Sequence, residues 1–164
     1  MAPLFDQPER FIIGTLGEPG ERTFFVQVRQ GRRLVSVIIE KAQAQSLHAL
    51  LLRLFGGLRE LGVAVPQPPQ EPRDRDPLEA PVEPRFRAGE IRISWERDRE
   101  LVVIELTDVA SDAILLVRMP VEQAQEFALR AGQVIAAGRP LCPACAQPMD
   151  SQGHLCPRTN GHRG

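Results

Sequence analysis

Residues 23–61 read TFFVQVRQGRRLVSVIIEKAQAQSLHALLLRLFGGLREL, and this stretch contains two different spacings of apolar residues. Apolar residues dominate 23–30 and 34–39, on either side of a turn at Gln30-Gly31-Arg32. Further along, large apolar residues recur at steps of three and four: Leu47, Leu50, Leu51, Leu54, Phe55, Leu58 and Leu61. Short β-branched and alternating runs are typical of strands, and steps of three and four are typical of a helix. The stretch therefore predicts a β-hairpin followed by a helix.

The stretch belongs to a unit of three strands and a helix, and this unit is predicted a second time later in the chain. The apolar run 11–13 predicts a strand before the hairpin, which completes three strands and a helix. Strands are again predicted over 86–95, 101–106 and 113–119, with a turn at 97–99. Pro120 suits the start of a helix. One face of that helix is apolar: Val121, Ala124, Phe127, Ala128, Ala131, Val134 and Ile135.

Details of the two halves also match. Gln-Ala-Gln opens both helices, at 43–45 and 123–125, and Val37 and Val117 share the same offset of 80. Phe11 and Gly14 match Phe86 and Gly89 at an offset of 75. We expect an α+β fold in which a duplicated β-β-β-α unit forms one body, because neither half covers its apolar helix face alone. Convergence stays open, since Gln and Ala are common early in helices.

Composition divides the chain into four segments. Residues 1–61 and 85–137 are the two β-β-β-α halves. Between them, 62–84 contain seven prolines in 23 residues, which predicts a semi-stiff linker. Its Arg73-Asp74-Arg75-Asp76 run is expected to neutralise its own charge. Residues 138–164 form a tail that holds all three cysteines.

Composition also limits the class of protein. With 43% hydrophobic and 25% charged residues, the chain is neither disordered, collagen-like nor a coiled coil. No apolar run is long enough to span a membrane, and the first six residues lack the pattern of a secretory signal, so we expect a cytoplasmic protein. The net charge of -1 argues against broad attraction to nucleic acid or anionic lipid.

The tail has the spacing of a zinc site. Cys142-Pro143-x-Cys145 places two thiolates on one tight turn, and Cys156 is again followed by a proline. Zinc in structural sites takes four N or S ligands in a tetrahedron. His154 is the preferred fourth ligand, because it follows Gly153 and lies two residues from Cys156. His162 is the alternative, close to the C-terminus. We therefore predict structural Zn²⁺ bound by Cys142, Cys145, His154 and Cys156.

Other readings of the tail remain open. The three cysteines are free thiols in one alternative, and Cys142 and Cys145 form a thioredoxin-like redox pair in another. A disulfide framework is disfavoured, because three is an odd number and the cytoplasm is reducing.

The tail also resembles a known family. The run Gly138-Arg139-Pro140, the Cys-Pro-x-Cys turn and Gly153-His154-x-Cys156-Pro157-Arg158 are similar to the uncharacterised, chiefly actinobacterial family called domain of unknown function 3090. Phe11-x-x-Gly14-Thr15 and the β-β-β-α order fit it too. The resemblance implies a cytoplasmic bacterial protein whose gene lies beside those of a histidine-phosphatase-like and a kinase-like protein. It implies no catalytic residue.

The folded halves contain little reactive chemistry. His48 lies beside the leucine face of the first helix and is expected at its boundary. Glu96, Asp98 and Glu100 surround a turn and are expected to be solvated. Glycine-rich phosphate loops, Gly-x-Ser-x-Gly and His-Glu-x-x-His are absent from the sequence.

Three functions follow as hypotheses. The first, which we prefer, is a non-enzymatic adaptor whose zinc module binds a protein partner. The second is an enzyme or enzyme subunit acting on a phosphorylated or nucleotide substrate, and a cleft gathering arginines and carboxylates would favour it. The third is a nucleic-acid-binding zinc protein, which a continuous arginine face would favour. No membrane partner is expected.

Overall fold

The computed structural model describes residues 4–18 and 20–137, which form an α+β fold with a seven-stranded mixed sheet and two helices. The strands are β1 (Leu4–Asp6), β2 (Arg10–Leu16), β3 (Thr23–Gln30), β4 (Arg33–Ile39), β5 (Pro84–Glu96), β6 (Leu101–Asp108) and β7 (Ile114–Met119). The helices are α1 (Lys41–Glu60) and α2 (Val121–Ala137). The predicted hairpin turn is confirmed between β3 and β4, where Gly31 has a φ of 61°. β1 was not predicted.

The sheet combines two antiparallel sets of strands. Its order is β1-β7-β6-β5-β4-β3-β2. Pairing is antiparallel within β2-β3-β4 and within β5-β6-β7, whereas β4 with β5 and β1 with β7 are parallel. Parallel neighbours need a long crossover. For β4 and β5 this crossover consists of α1 and the proline-rich segment, so strands from both halves share one sheet.

The two ends of the sheet come together. β1 and β2 stand at opposite ends of the strand order, yet only residues 7–9 separate them in the chain. Such a connection spans at most about 14 Å, whereas seven strands laid flat are about 29 Å wide. The sheet therefore curls. Two side chains from the far side of the sheet reach β1. Gln30 Nε2 at the end of β3 donates to the Asp6 carbonyl at 2.7 Å, and Arg33 Nη2 at the start of β4 donates to the Leu4 carbonyl at 3.0 Å.

One apolar core joins both halves. α1 and α2 contact each other, while α1 also lies against β5 and α2 against β2. The rings of Phe11 on β2 and Phe127 on α2 are stacked, with centroids 4.4 Å apart. Both rings belong to a core that includes residues from every strand and both helices. Neither helix in the described part of the chain combines the length and apolarity needed to cross a bilayer.

The proline-rich segment lies against the sheet. Gln27 on β3 is 2% exposed, and its amide donates to the Glu79 carbonyl at 3.1 Å and accepts from the Glu79 N–H at 2.8 Å. Leu78 packs on Gly14 so closely that a Cβ at Gly14 would lie 2.7 Å from Leu78 Cγ. Only glycine allows this approach. The segment thus has specific contacts with the sheet, although no helix or strand is assigned between α1 and β5.

Candidate functional site

The predicted zinc ligands lie outside the described residues. This holds for Cys142, Cys145, His154 and Cys156, and also for the alternative ligand His162. Among residues 4–18 and 20–137, no group of three or more His, Cys, Asp and Glu side chains could hold a metal ion. The zinc site therefore stays a prediction from the sequence. The body offers two polar sites of other kinds.

The first is an arginine clamp, formed by Arg10, Arg130 and Asp74. Arg10 begins β2 and binds the Asp74 carboxylate through two nitrogens, Nε to Oδ2 at 2.6 Å and Nη2 to Oδ1 at 3.0 Å. Arg130 on α2 donates from Nη1 to the Asp74 carbonyl at 2.8 Å and lies 3.3 Å from Oδ1. Two guanidinium groups from different halves therefore hold one aspartate of the proline-rich segment.

The same two arginines also bind backbone carbonyls. Arg130 is 9% exposed and donates from Nε to Ile13 at 2.8 Å and from Nη2 to Asp76 at 2.6 Å. Arg10 Nη2 donates to the carbonyls of Asp76 and Pro77 at 2.9 and 3.0 Å. The expectation that the Arg73–Asp76 run neutralises its own charge is wrong for Asp74, because its partners come from β2 and α2.

A second group of ion pairs continues the clamp along the surface. Arg29 Nε lies 2.9 Å from a Glu79 oxygen, and Arg29 Nη1 donates to Glu9. Glu9 also accepts from the Gly31 N–H at 2.9 Å. This backbone hydrogen bond, followed by the contact with Arg29, lowers the pKa of Glu9. These charges are engaged with one another, and Glu9 also holds the backbone at the β3-β4 turn through Gly31.

The clamp makes Asp74 a stronger acid. Hydrogen bonds from Arg10 lower the pKa of Asp74, and partial burial opposes that shift only in part. Stability from this contact is therefore fully present above the ordinary aspartate pKa of about 4. It is lost as the pH falls through the lower pKa of the folded state.

Asp74→Asn is expected to lower the free energy of unfolding at pH 7 by about 1 kcal/mol, since water screens a carboxylate that is 35% exposed. The deficit relative to wild type should shrink at pH 3, because the carboxylate of the unfolded chain, whose pKa is about 4, binds a proton more readily there than the folded one. Urea unfolding at both pH values measures this difference. Asp112→Asn, on an exposed residue, is the control. A deficit that is equal at both pH values would contradict the assignment.

The second polar site is a cationic cleft of about 350 Å³, where Arg22, Lys41 and Arg87 surround Glu40. Arg87 donates to Glu40. No carboxylate of the described residues forms an ion pair with Arg22 or Lys41. Three cations and one carboxylate leave a formal charge of +2. No local pattern in the sequence indicates this cleft, because its three cations come from segments that are far apart in sequence.

Arg22 is fixed in position at one side of the cleft. Its Nη1 donates to the Val134 carbonyl at 3.0 Å, near the end of α2. Its guanidinium carbon lies 4.9 Å from the centre of the Phe24 ring. Partial burial lowers the pKa of Arg22, which nevertheless stays protonated at neutral pH.

The other residues considered from the sequence have structural surroundings. His48 is half-buried and lies over Gly132 of α2, where a Cβ would be 3.0 Å from Nε2. At the β5-β6 turn, Glu96 Oε2 lies 2.8 Å from Arg118 Nε, and Arg99 binds Asp6 at 2.9 Å. The turn thus carries ion pairs to β7 and β1, and its carboxylates do not face a shared cleft.

These features describe an α+β protein with a curled mixed sheet, an internal arginine clamp and a cationic cleft. The family model described as "Protein of unknown function (DUF3090)" matches residues 4–156, and the chain belongs to this family. No curated protein and no solved structure was found to match the chain.

Proposed function

We propose that this protein is a non-enzymatic, cytoplasmic adaptor, in which the α+β body carries a C-terminal zinc module that binds a protein partner. The observation that carries the proposal is the spacing of Cys142, Cys145, His154 and Cys156 in the tail, which supplies a complete set of zinc ligands. Among the carboxylates of the described residues, those with shifted pKa values are Glu9, Asp74 and Asp108, and all three pKa values are lowered. A general base or acid working near neutral pH needs a pKa close to that pH. These three carboxylates are therefore stabilised in their charged form by hydrogen bonds within the body.

The zinc module is supported by the spacing of its ligands. Cys142, Cys145, His154 and Cys156 supply four N or S ligands, which complete a tetrahedron and leave no position for an activated water. The family match extends through all four residues and ends before His162. In a tail with few large apolar residues, metal binding provides most of the folding free energy, on the order of 10 kcal/mol.

Zinc analysis of the purified protein tests this proposal. One zinc ion per chain is expected in wild type, and none in Cys142→Ser, because a hydroxyl is a poor zinc ligand. His154→Ala should weaken zinc binding strongly and His162→Ala only slightly. Thermal unfolding of the body should be the same in all three variants.

Two outcomes would contradict the zinc site. If His162→Ala releases the metal and His154→Ala does not, the fourth ligand is wrong. If the protein contains no metal and all three thiols react freely, the module itself is wrong.

The adaptor role further requires that a partner isolated with wild type is lost with Cys142→Ser. The cationic cleft holds two arginines but only one carboxylate, which Arg87 binds, so it falls short of the cleft that the enzyme hypothesis expects. Hydrolysis of phosphate esters by the pure protein would favour the enzyme hypothesis instead.

We also propose that the body arose by duplication, and two pairs of matching contacts support this. Val37 on β4 is the parallel partner of Phe86, and Val117 on β7 is the parallel partner of Phe5. The third strand of each half thus meets a phenylalanine that leads into the first strand of the other half. Under this proposal the equivalent of Phe86 is Phe5. Phe11, which the sequence places at an offset of 75 from Phe86, is then not its equivalent.

The repeated glutamines make the second pair of matching contacts. Gln43 Nε2 donates to the Ala88 carbonyl at 3.0 Å, and Gln123 Nε2 donates to the Pro8 carbonyl at 2.9 Å. Each helix is tied at its start to the other half, two or three residues beyond the paired phenylalanine. Superposition of β2-β3-β4-α1 on β5-β6-β7-α2 tests the proposal, which requires Val37 to fall on Val117.

A further inference from the structure

We propose that the cationic cleft binds a small phosphorylated ligand through Arg22, Lys41 and Arg87. This site is separate from the zinc module, and the inference does not depend on it. The charge of the cleft, the arrangement of its cations and its size support this site.

The charge of the cleft is opposite to that of the body. Residues 1–137 carry 17 basic and 20 acidic side chains, so the body has a formal charge of -3. The cleft nevertheless has a formal charge of +2. The N-terminus of α1 does not account for this, because the Glu40 side chain already accepts from the backbone of its first turn. The positive potential comes from the side chains.

The three cations approach the cleft from separate segments. Arg22 precedes β3, Lys41 begins α1 and Arg87 lies on β5. Arg22 is held by the Val134 carbonyl and Phe24, so one cation is already oriented before a ligand arrives. Arginine presents a planar pair of donors that matches phosphate oxygens, and lysine adds a mobile point charge. Because a phosphate monoester carries a charge of about -1.5 to -2 at neutral pH, it matches the formal charge of +2 in the cleft better than a single carboxylate does.

The size of the cleft favours a small ligand. A volume of about 350 Å³ is within the range of small-molecule sites. Phe24, Ile38 and Ile39 are among the residues that line the cleft, and Ile38 is half-buried, so an organic group would lie beside apolar residues. A nucleic acid would need a continuous basic face, which an acidic body does not favour. The tail is a poor occupant, since three arginines against one aspartate make it positive.

The test uses Lys41, the only lysine in the chain. Acetylation of Lys41 in the wild-type protein, measured by mass spectrometry at 150 mM salt, should be slowed by inorganic pyrophosphate or by AMP. If only pyrophosphate protects, the ligand is inorganic. If AMP protects as well or better, the ligand is a phosphate ester. Protection by neither would overturn the proposal.

Calorimetry with the protecting compound gives a second readout. Lys41→Gln/Arg87→Gln should weaken binding by about tenfold or more, since two of the three cations are lost. Arg53→Gln/Arg97→Gln removes the same charge from exposed positions and should bind as wild type. Equal weakening in both double variants would show general charge attraction and overturn the site. Tighter binding of a single-stranded RNA than of either small compound would also overturn it.

Discussion

Phe127→Ala is expected to lower the free energy of unfolding by about 4 kcal/mol. Phe127 is 1% exposed and its ring stacks on Phe11, so its removal leaves a cavity between α2 and β2. Because α2 follows the second set of strands and β2 belongs to the first, the change weakens the contact between the halves. Urea unfolding followed by circular dichroism measures the loss.

The fluorescence of Trp95, the only tryptophan, adds a second probe on β5. Both probes should report one transition in wild type, since the two halves share one core. Leu52→Ala, at a residue that is 52% exposed on α1, is the control and should change stability by less than about 0.5 kcal/mol. A Phe127→Ala protein as stable as this control would contradict the packing described here.

Arg130→Met is expected to lower the free energy of unfolding by about 3 kcal/mol, because it leaves the carbonyls of Ile13 and Asp74 without a side-chain donor, whereas the Asp76 carbonyl keeps Arg10. The carbonyls of Ile13, Asp74 and Asp76 all accept from Arg130. Methionine keeps much of the aliphatic volume, so the effect reports hydrogen bonding more than packing. Urea unfolding measures the change. Arg130→Lys should not restore stability, since one ammonium group cannot reproduce the planar fork.

Proteolysis separates a local role of Arg130 from a global one. Loss of the clamp should speed cleavage within residues 62–84 before the body unfolds. The matched control is Arg53→Met, at an exposed position on α1, which should leave stability and cleavage unchanged. If Arg130→Met behaves like Arg53→Met in both measurements, the clamp does not hold the segment.

Local patterns predicted the elements of this fold but not how they meet. The β3-β4 hairpin and both helices follow from spacing, because each depends on residues close in sequence. β1 has only three residues and is stabilised by pairing with β7, more than a hundred residues away, so no local pattern indicates it. The parallel pairing of β4 and β5 was not predicted for the same reason.

The zinc site could be predicted from the sequence, whereas the clamp and the cleft could not. A zinc site has a local signature, Cys-Pro-x-Cys, and could be proposed from spacing alone. The clamp and the cleft have none, because an arginine pairs with whichever carboxylate or carbonyl the fold brings near it. Asp74 shows this clearly: its sequence neighbours Arg73 and Arg75 are cations, yet its side chain binds Arg10 and Arg130.

The closure of the sheet has a consequence for how the protein behaves at high concentration. Open strand edges are templates on which other chains add strands and aggregate. Here Gln30 and Arg33 occupy carbonyls of β1, and Arg130 occupies the Ile13 carbonyl of β2. A foreign strand would have to displace these side chains before it could pair. The side chains that cover the two edges thus protect the sheet from edge-to-edge polymerisation.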